Sequence, residues 1–241
     1  MIIRDGVDAV MHINSEFVLS DLLQDSNSCP VVTFANPYSY YKLLDEGLDK
    51  KFDYIFADGI SLVVLYNLFS KKSIRRYSFD FTSVAPVVLK YCVERDLSIA
   101  LVGGTSTEVD GAARLIESTF PGVNVGLATP GFFATEAERN ACFDNLKTSG
   151  IEVLICGMGT PLQEHFVLGA RDRVPTLKVG FTCGGFLSQI ASRDQYHSPL
   201  MSKLHLRWLQ RAIRHSHVRK RLLTDYPKFF FRFLWTRIRG A

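Results

Sequence analysis

The apolar positions of this chain follow two alternating periods. Short runs of apolar and β-branched residues recur as VVTFAN (Val31 to Asn36), YIFAD (Tyr54 to Asp58), SIALVGG (Ser98 to Gly104), VNVGLATPG, EVLICGMG (Glu152 to Gly159) and LKVGFTCGG (Leu177 to Gly185). Longer stretches of helical character separate them: YSYYKLLDEGL, the run after Gly59 through Phe69, FTSVAPVVLKYCVER, a segment starting near Thr105 to Thr107, TEAERNACFDNLK and LQEHFVLGARDRV. Buried-type strands alternating with helices predict an α/β domain with a largely parallel sheet and helices on both faces.

The composition changes near Ser198 to Ser202, which predicts a domain over residues 1–199 and a basic, helical appendage over 200–241. From Met201 onward there are eleven Lys and Arg against one acid, Asp225, a net +10, while the preceding 200 residues carry −6. Such asymmetry points to a polyanion near the C-terminus. Phe229, Phe230, Phe231, Phe233, Leu234 and Trp235 interleave with Lys228, Arg232, Arg237 and Arg239, a mixture suited to an anionic lipid interface rather than to a solvated nucleic-acid arm. Val218, Leu222, Tyr226 and Phe230 fall at i, i+4 spacing, which equally fits an amphipathic helix packed on its own domain.

With 241 residues and 47% hydrophobic composition, the chain can bury a sizeable core. Arg232 interrupts the richest apolar stretch, so membrane contact should be peripheral. The N-terminus lacks a charged-then-apolar signal pattern, which predicts a cytoplasmic location. Cys29, Cys92, Cys142, Cys156 and Cys183 form no CxxC pair and read as reduced core thiols.

In an open parallel sheet, ligands bind beyond the carboxyl ends of the strands. The residues there are Asn36 and Pro37, Asp58 and Gly59, Gly103 and Gly104, Gly157 through Gly159 to Gln163, and Gly184 and Gly185. Glycines at strand ends admit a phosphate or ribose, and the following helix N-terminus offers free N–H groups; each is equally an ordinary turn. No GxGxxG or GxxxxGK[ST] pattern occurs. Asp58 stands where a general base would, and equally where a helix N-cap would. Gln163 and Glu164 fall in a first helical turn, where capping also places such residues. Without an Asp-x-Asp pair or clustered His and Cys, neither a metal nor another cofactor is implied.

The ordered set NPYSYY, FADG, RRYSFD, LVGG, GMGTPLQE, CGGF and WLQR…RKRLL…PKF resembles the WecG/TagA/CpsF family, glycosyltransferase family 26, from about Thr33 to Phe230. The resemblance implies a Rossmann-like GT-E fold and inverting, metal-independent transfer from a UDP-sugar to a polyprenyl-diphosphate-linked sugar on the cytoplasmic membrane face. It assigns Asp58 as catalytic base, Asn36 to the active-site pocket, and Gln163 and Glu164 to the nucleotide and sugar. Arg75 and Asp80 match the ends of an Arg-x-x-Gly-x-Asp pattern whose glycine is Ser78 here. Thr33 is the nearest counterpart of the family's threonine, whose place Phe34 takes. Ser188, Ser192 and His197 are further departures. Arg211 and Arg221, and more loosely Arg219, match arginines of an appendage thought to close over the active site and contact the membrane.

A capsule, O-antigen, exopolysaccharide or teichoic-acid-type transferase is the reading that follows, with no nucleic acid among its partners. A non-catalytic nucleotide-binding protein whose basic tail holds nucleic acid, and an NAD-dependent enzyme, are the rivals. Donor sugar and homo-oligomerisation stay open.

Overall fold

The computed structural model describes residues 11–22, 29–69, 73–192 and 221–239. Six strands, β1 (Val31–Ala35), β2 (Tyr54–Ala57), β3 (Ser98–Gly103), β4 (Asn124–Thr129), β5 (Val153–Gly157) and β6 (Val179–Thr182), form one sheet in the order β2-β1-β6-β5-β3-β4. Every pairing is parallel. The helices are α1 (Leu19–Leu22), α2 (Tyr40–Asp45), α3 (Ile60–Phe69), α4 (Val84–Glu94), α5 (Ser106–Thr119), α6 (Glu136–Thr148), α7 (Leu162–Arg173), α8 (Phe186–Ala191) and α9 (Tyr226–Arg239). The architecture is α/β and Rossmann-like, as the alternating periods predict.

Strand residues point to opposite faces in turn, so each inner strand supplies both layers of core. Val31 and Ala35 of β1, Ala100 and Val102 of β3, and Leu154 and Cys156 of β5 enter one cluster with α2, α6 and α7 residues. Val32 and Phe34, Ile99 and Leu101, and Val153 and Ile155 enter the other, with α4, α5 and α8 residues. Thr33 and Thr182 break this apolar pattern, and both are buried. Edge strand β4 is half-exposed along most of its length, which fits its more polar sequence.

Local chemistry sets the helix starts. Thr105 caps α5 through a capping box, its hydroxyl accepting from the Glu108 N–H while the Glu108 carboxylate accepts from the Thr105 N–H at 2.7 Å. Thr135 caps α6 through the Glu138 N–H.

The C-terminal helix differs from the expected register. A π-helical turn over Arg221–Asp225 precedes α9. Tyr226 and Phe230 of the expected i, i+4 stripe are only half-buried, whereas Phe229 and Phe233 are the buried pair. At about 100° per residue, the buried pair Phe229 and Phe233 lies about 60° round the helix from Tyr226 and Phe230, so the two stripes are neighbouring faces of α9. The rings of Phe229 and Phe233 pack on Tyr40 of α2 at 5.5 and 5.9 Å between centroids. Arg232 pairs with Asp45 and lies 4.0 Å above the Tyr41 ring. The boundary expected near residue 199 lies outside the described residues, and α9 itself belongs to the same core cluster as β1 and β5.

Candidate active site

The strand order turns at the centre of the sheet: β1 leads outward to β2, while β3 starts a second half whose return strands, β5 and β6, fill the gap. Ligands of open α/β sheets bind beyond the carboxyl ends near such a reversal. Two groups of polar side chains stand there, one buried and one half-exposed.

Glu164, in the first turn of α7, centres the buried group and is 0% exposed. Its Oε1 accepts from Thr33 Oγ1 at 3.1 Å, Thr160 Oγ1 at 3.1 Å and Gln163 Nε2 at 2.9 Å. Thr33 and Thr182 share a hydroxyl–hydroxyl bond of 2.8 Å. Gln163 Oε1 accepts from the Gly184 N–H at 3.1 Å, tying α7 to the end of β6. Glu164 Oε2 is buried without a partner among the described residues. Burial lifts the Glu164 carboxyl above its ordinary value, and the bonds from Gln163, Thr160 and Thr33 offset that only in part.

The half-exposed group surrounds Asp58. Its backbone N–H donates to the Ala35 carbonyl at 2.8 Å, extending the β1–β2 pairing and setting it beside Asn36. Gly59 makes this closeness possible, because a Cβ there would stand 2.8 Å from Pro37 Cδ. Arg76 wraps Asp58: Nη2 lies 3.0 Å from Oδ1 and Nε donates to the Asp58 carbonyl at 2.8 Å. The same Nη2 reaches Asp80 Oδ2 at 3.2 Å. Asp80 also accepts from the Thr82 amide and hydroxyl at 2.8 and 2.6 Å. Burial alone would raise the Asp80 carboxyl, but the Thr82 bonds and Arg76 outweigh it and hold the group below its ordinary value. Asn36 Oδ1 accepts from the Tyr38 and Ser39 N–H groups at 3.0 and 3.2 Å, which organises the turn into α2.

Glycines line the rim. A Cβ on Gly103 would stand 2.4 Å from the Gly157 carbonyl oxygen, and one on Gly157 would stand 2.6 Å from the Gly184 carbonyl oxygen. The ends of β3, β5 and β6 therefore close to distances that admit no side chain.

The structure thus brings Asp58, Asn36 and Asp80 together at one strand end, Thr33, Gln163 and Glu164 into one network, and Gly103, Gly157 and Gly184 onto one rim. Gly104 packs against the α5 capping box, Gly159 precedes α7, and Gly185 caps α8. Arg75 is exposed, and its neighbour Arg76 makes the ion pairs. An isolated parallel bridge between Ala57 and Arg76 fixes which of the two arginines faces Asp58. Arg211 and Arg219 lie outside the described residues, as does the side chain of Arg221. Arg76, Thr160 and Thr182 were not singled out in the sequence; Thr182 carried the same signal as Thr33, a hydroxyl inside an apolar strand. Among the described residues, no three His, Cys, Asp or Glu side chains converge.

Residues 7–241 match the model of the "Glycosyl transferase WecG/TagA/CpsF family". The chain is also similar to the UDP-Gal:alpha-D-GlcNAc-diphosphoundecaprenol beta-1,4-galactosyltransferase of Shigella boydii, with 37% identity over 216 residues, 90% of either chain. The chain belongs to the WecG/TagA/CpsF family of glycosyl transferases.

Proposed function

We propose that this chain moves a hexose from a UDP-sugar onto a sugar carried by undecaprenyl diphosphate, by a single displacement that inverts the anomeric carbon. The observation that carries this reading is Asp58: a half-exposed carboxylate at the reversal of the sheet, beside Asn36, in a chain 37% identical to a UDP-galactose-dependent transferase.

Asp58 acts as general base. Arg76 engages Oδ1, so Oδ2 is the oxygen that takes the proton of the acceptor hydroxyl as that hydroxyl attacks the anomeric carbon and the C–O bond to UDP breaks. A guanidinium that also grips the Asp58 carbonyl restricts the carboxylate to one orientation, and the benefit is positional. Thr33, Thr182, Gln163 and Glu164 are buried, so they act as the floor that fixes the Thr160 and Gly184 loops against the donor. Beside the closed strand ends, Gly159 and Gly184, where a Cβ would meet nothing within 4 Å, leave space for the nucleotide.

The leaving diphosphate requires compensating charge without a metal. The first turn of α5 is a poor candidate, since the Glu108 carboxylate already occupies its N-terminus. The Gly159 turn before α7, together with Arg211, Arg219 and Arg221, is the better one. The +10 C-terminal segment would hold the enzyme on the anionic cytoplasmic face of the membrane. No helix among the described residues is long and apolar enough to cross a membrane.

Transfer of labelled galactose from UDP-galactose to a lipid-linked N-acetylglucosaminyl diphosphate, followed by linkage analysis, tests the reading. A β-linked product supports it. No transfer from any UDP-hexose, with tight duplex DNA binding at physiological salt, would favour the nucleic-acid alternative.

A further inference from the structure

Helix α3, ISLVVLYNLF, has ten residues and no charge. It begins two residues after Asp58. Its inward face is ordinary core, with Leu62, Val63 and Tyr66 buried. Its outward face is unusual: Ile60, Val64 and Leu68, at i, i+4 and i+8, are 57%, 59% and 71% exposed. A helix facing water normally carries polar residues there. Asn67 does not supply one freely, because its side-chain amide bonds both backbone groups of Ile74, at 2.7 and 2.9 Å.

The apolar track continues at its far end. Phe69 closes α3 and its ring meets that of Phe233 in α9 at 6.3 Å. On α9, Phe229 and Phe233 face the domain, while Phe231 and Trp235, roughly half a turn away, are 77% and 56% exposed beside the exposed Lys228. Exposed aromatics among cations are the pattern of an interfacial helix. The uncharged face of α3 therefore adjoins a surface whose chemistry already suits anionic lipid.

We infer that the outer face of α3, through Ile60, Val64 and Leu68, is a lipid-docking surface that enters the headgroup–acyl boundary of a bilayer next to the catalytic carboxylate. This deepens the proposed function and rests on it for the acceptor. An acceptor consisting of one sugar on a lipid diphosphate keeps its reactive hydroxyl close to the hydrocarbon. A base held high above the membrane by a distant anchor could not reach it. A helix spanning about 12 Å from Ile60 to Leu68, with Asp58 just before its first turn, sets the base at headgroup depth. In this arrangement α9 supplies the cationic contact and α3 supplies the apolar one.

The test is co-sedimentation of the full-length protein with vesicles of phosphatidylglycerol and phosphatidylethanolamine. Val64→Glu/Leu68→Glu should lower partitioning by more than about tenfold, and the uncharged change Leu68→Ser by about threefold. Val64→Ile/Leu68→Met should bind as the unaltered protein does. The melting temperature and oligomeric mass of all variants should be unchanged. Undiminished vesicle binding by the Glu variant would overturn the inference. So would a lowered melting temperature or an altered mass, since these would mean that another part of the chain or a second copy covers the face. Sugar transfer to a water-soluble short-chain acceptor separates the two readings. If the unaltered protein transfers nothing yet binds vesicles through α3, the docking surface stands and the transferase assignment fails.

Discussion

Arg76 holds Asp58 at two points, its Nη2 3.0 Å from the carboxylate Oδ1 and its Nε donating to the backbone carbonyl at 2.8 Å. Only a planar guanidinium can make both contacts while also reaching Asp80. Arg76→Lys should therefore lower kcat by about tenfold with little change in KM for the UDP-sugar, and Arg76→Ala by about a hundredfold. Steady-state kinetics with saturating acceptor checks the split; a purely KM effect would mean that Arg76 binds the donor instead.

Removing the proposed base should cost more. Asp58→Asn keeps the shape and loses proton acceptance, and transfer should fall by at least about a hundredfold. Calorimetric titration with UDP should remain near the unaltered value. Full activity in this variant would remove Asp58 from the reaction.

The two shifted carboxyls predict opposite pH dependences of stability. Glu164 is raised by burial, so its contribution is present at acid pH and disappears as pH rises through its raised value. Asp80 is depressed, so its contribution is present at neutral pH and disappears as pH falls through its lowered value. Glu164→Gln should flatten the decline of melting temperature that sets in as pH rises above the ordinary carboxyl range, and Asp80→Asn the decline that sets in as pH falls below it. Melting curves across the two ranges, read for both variants, test the pair.

Phe233 is 1% exposed and packs on Tyr40, Phe69 and Phe229. Phe233→Ala should destabilise the domain by about 3 to 5 kcal/mol. Arg232→Ala, which removes an exposed pair with Asp45, should cost no more than about 1 kcal/mol. Denaturant unfolding distinguishes a docked α9 from a loosely tethered one: equal small effects from both variants would contradict the packing.

All five cysteines are free thiols. Burial raises Cys29 and Cys142 to about 11 and Cys92 to about 12, and raises Cys156 and Cys183 as well. Thiolate is the reactive form, so a disulfide reagent at neutral pH should label the native protein slowly and all five positions after unfolding.

Apart from the more polar edge strand β4, the strands were legible because each is a compact apolar run closed by a turn residue, and tertiary packing had little to add. The strand ends, hence Asp58, Asn36 and the glycine rim, followed from the same boundaries. Three features were not legible. Adjacent Arg75 and Arg76 cannot be told apart by spacing; a single backbone bridge at Ala57 decides which one turns toward the carboxylate. Phe229 and Phe233 lie one face round from Tyr226 and Phe230 on the last helix, and an i, i+4 pattern alone does not say which of these adjacent aromatics is the most deeply buried. Thr33 and Thr182 were visible as hydroxyls in apolar strands, but that they meet each other and Glu164 depends on β1 and β6 being neighbours, a long-range fact with no local signature.

The contact of Gly103 on Gly157 and of Gly157 on Gly184 has a consequence for changing what this enzyme accepts. No residue larger than glycine fits at Gly103 or Gly157 without parting the ends of β3, β5 and β6. If the rim faces the donor as proposed, donor preference cannot be retuned there one side chain at a time. Redesign has to work through neighbouring positions whose side chains are exposed and stand outside the Glu164 network, such as Phe132 after β4 and Leu162 at the start of α7.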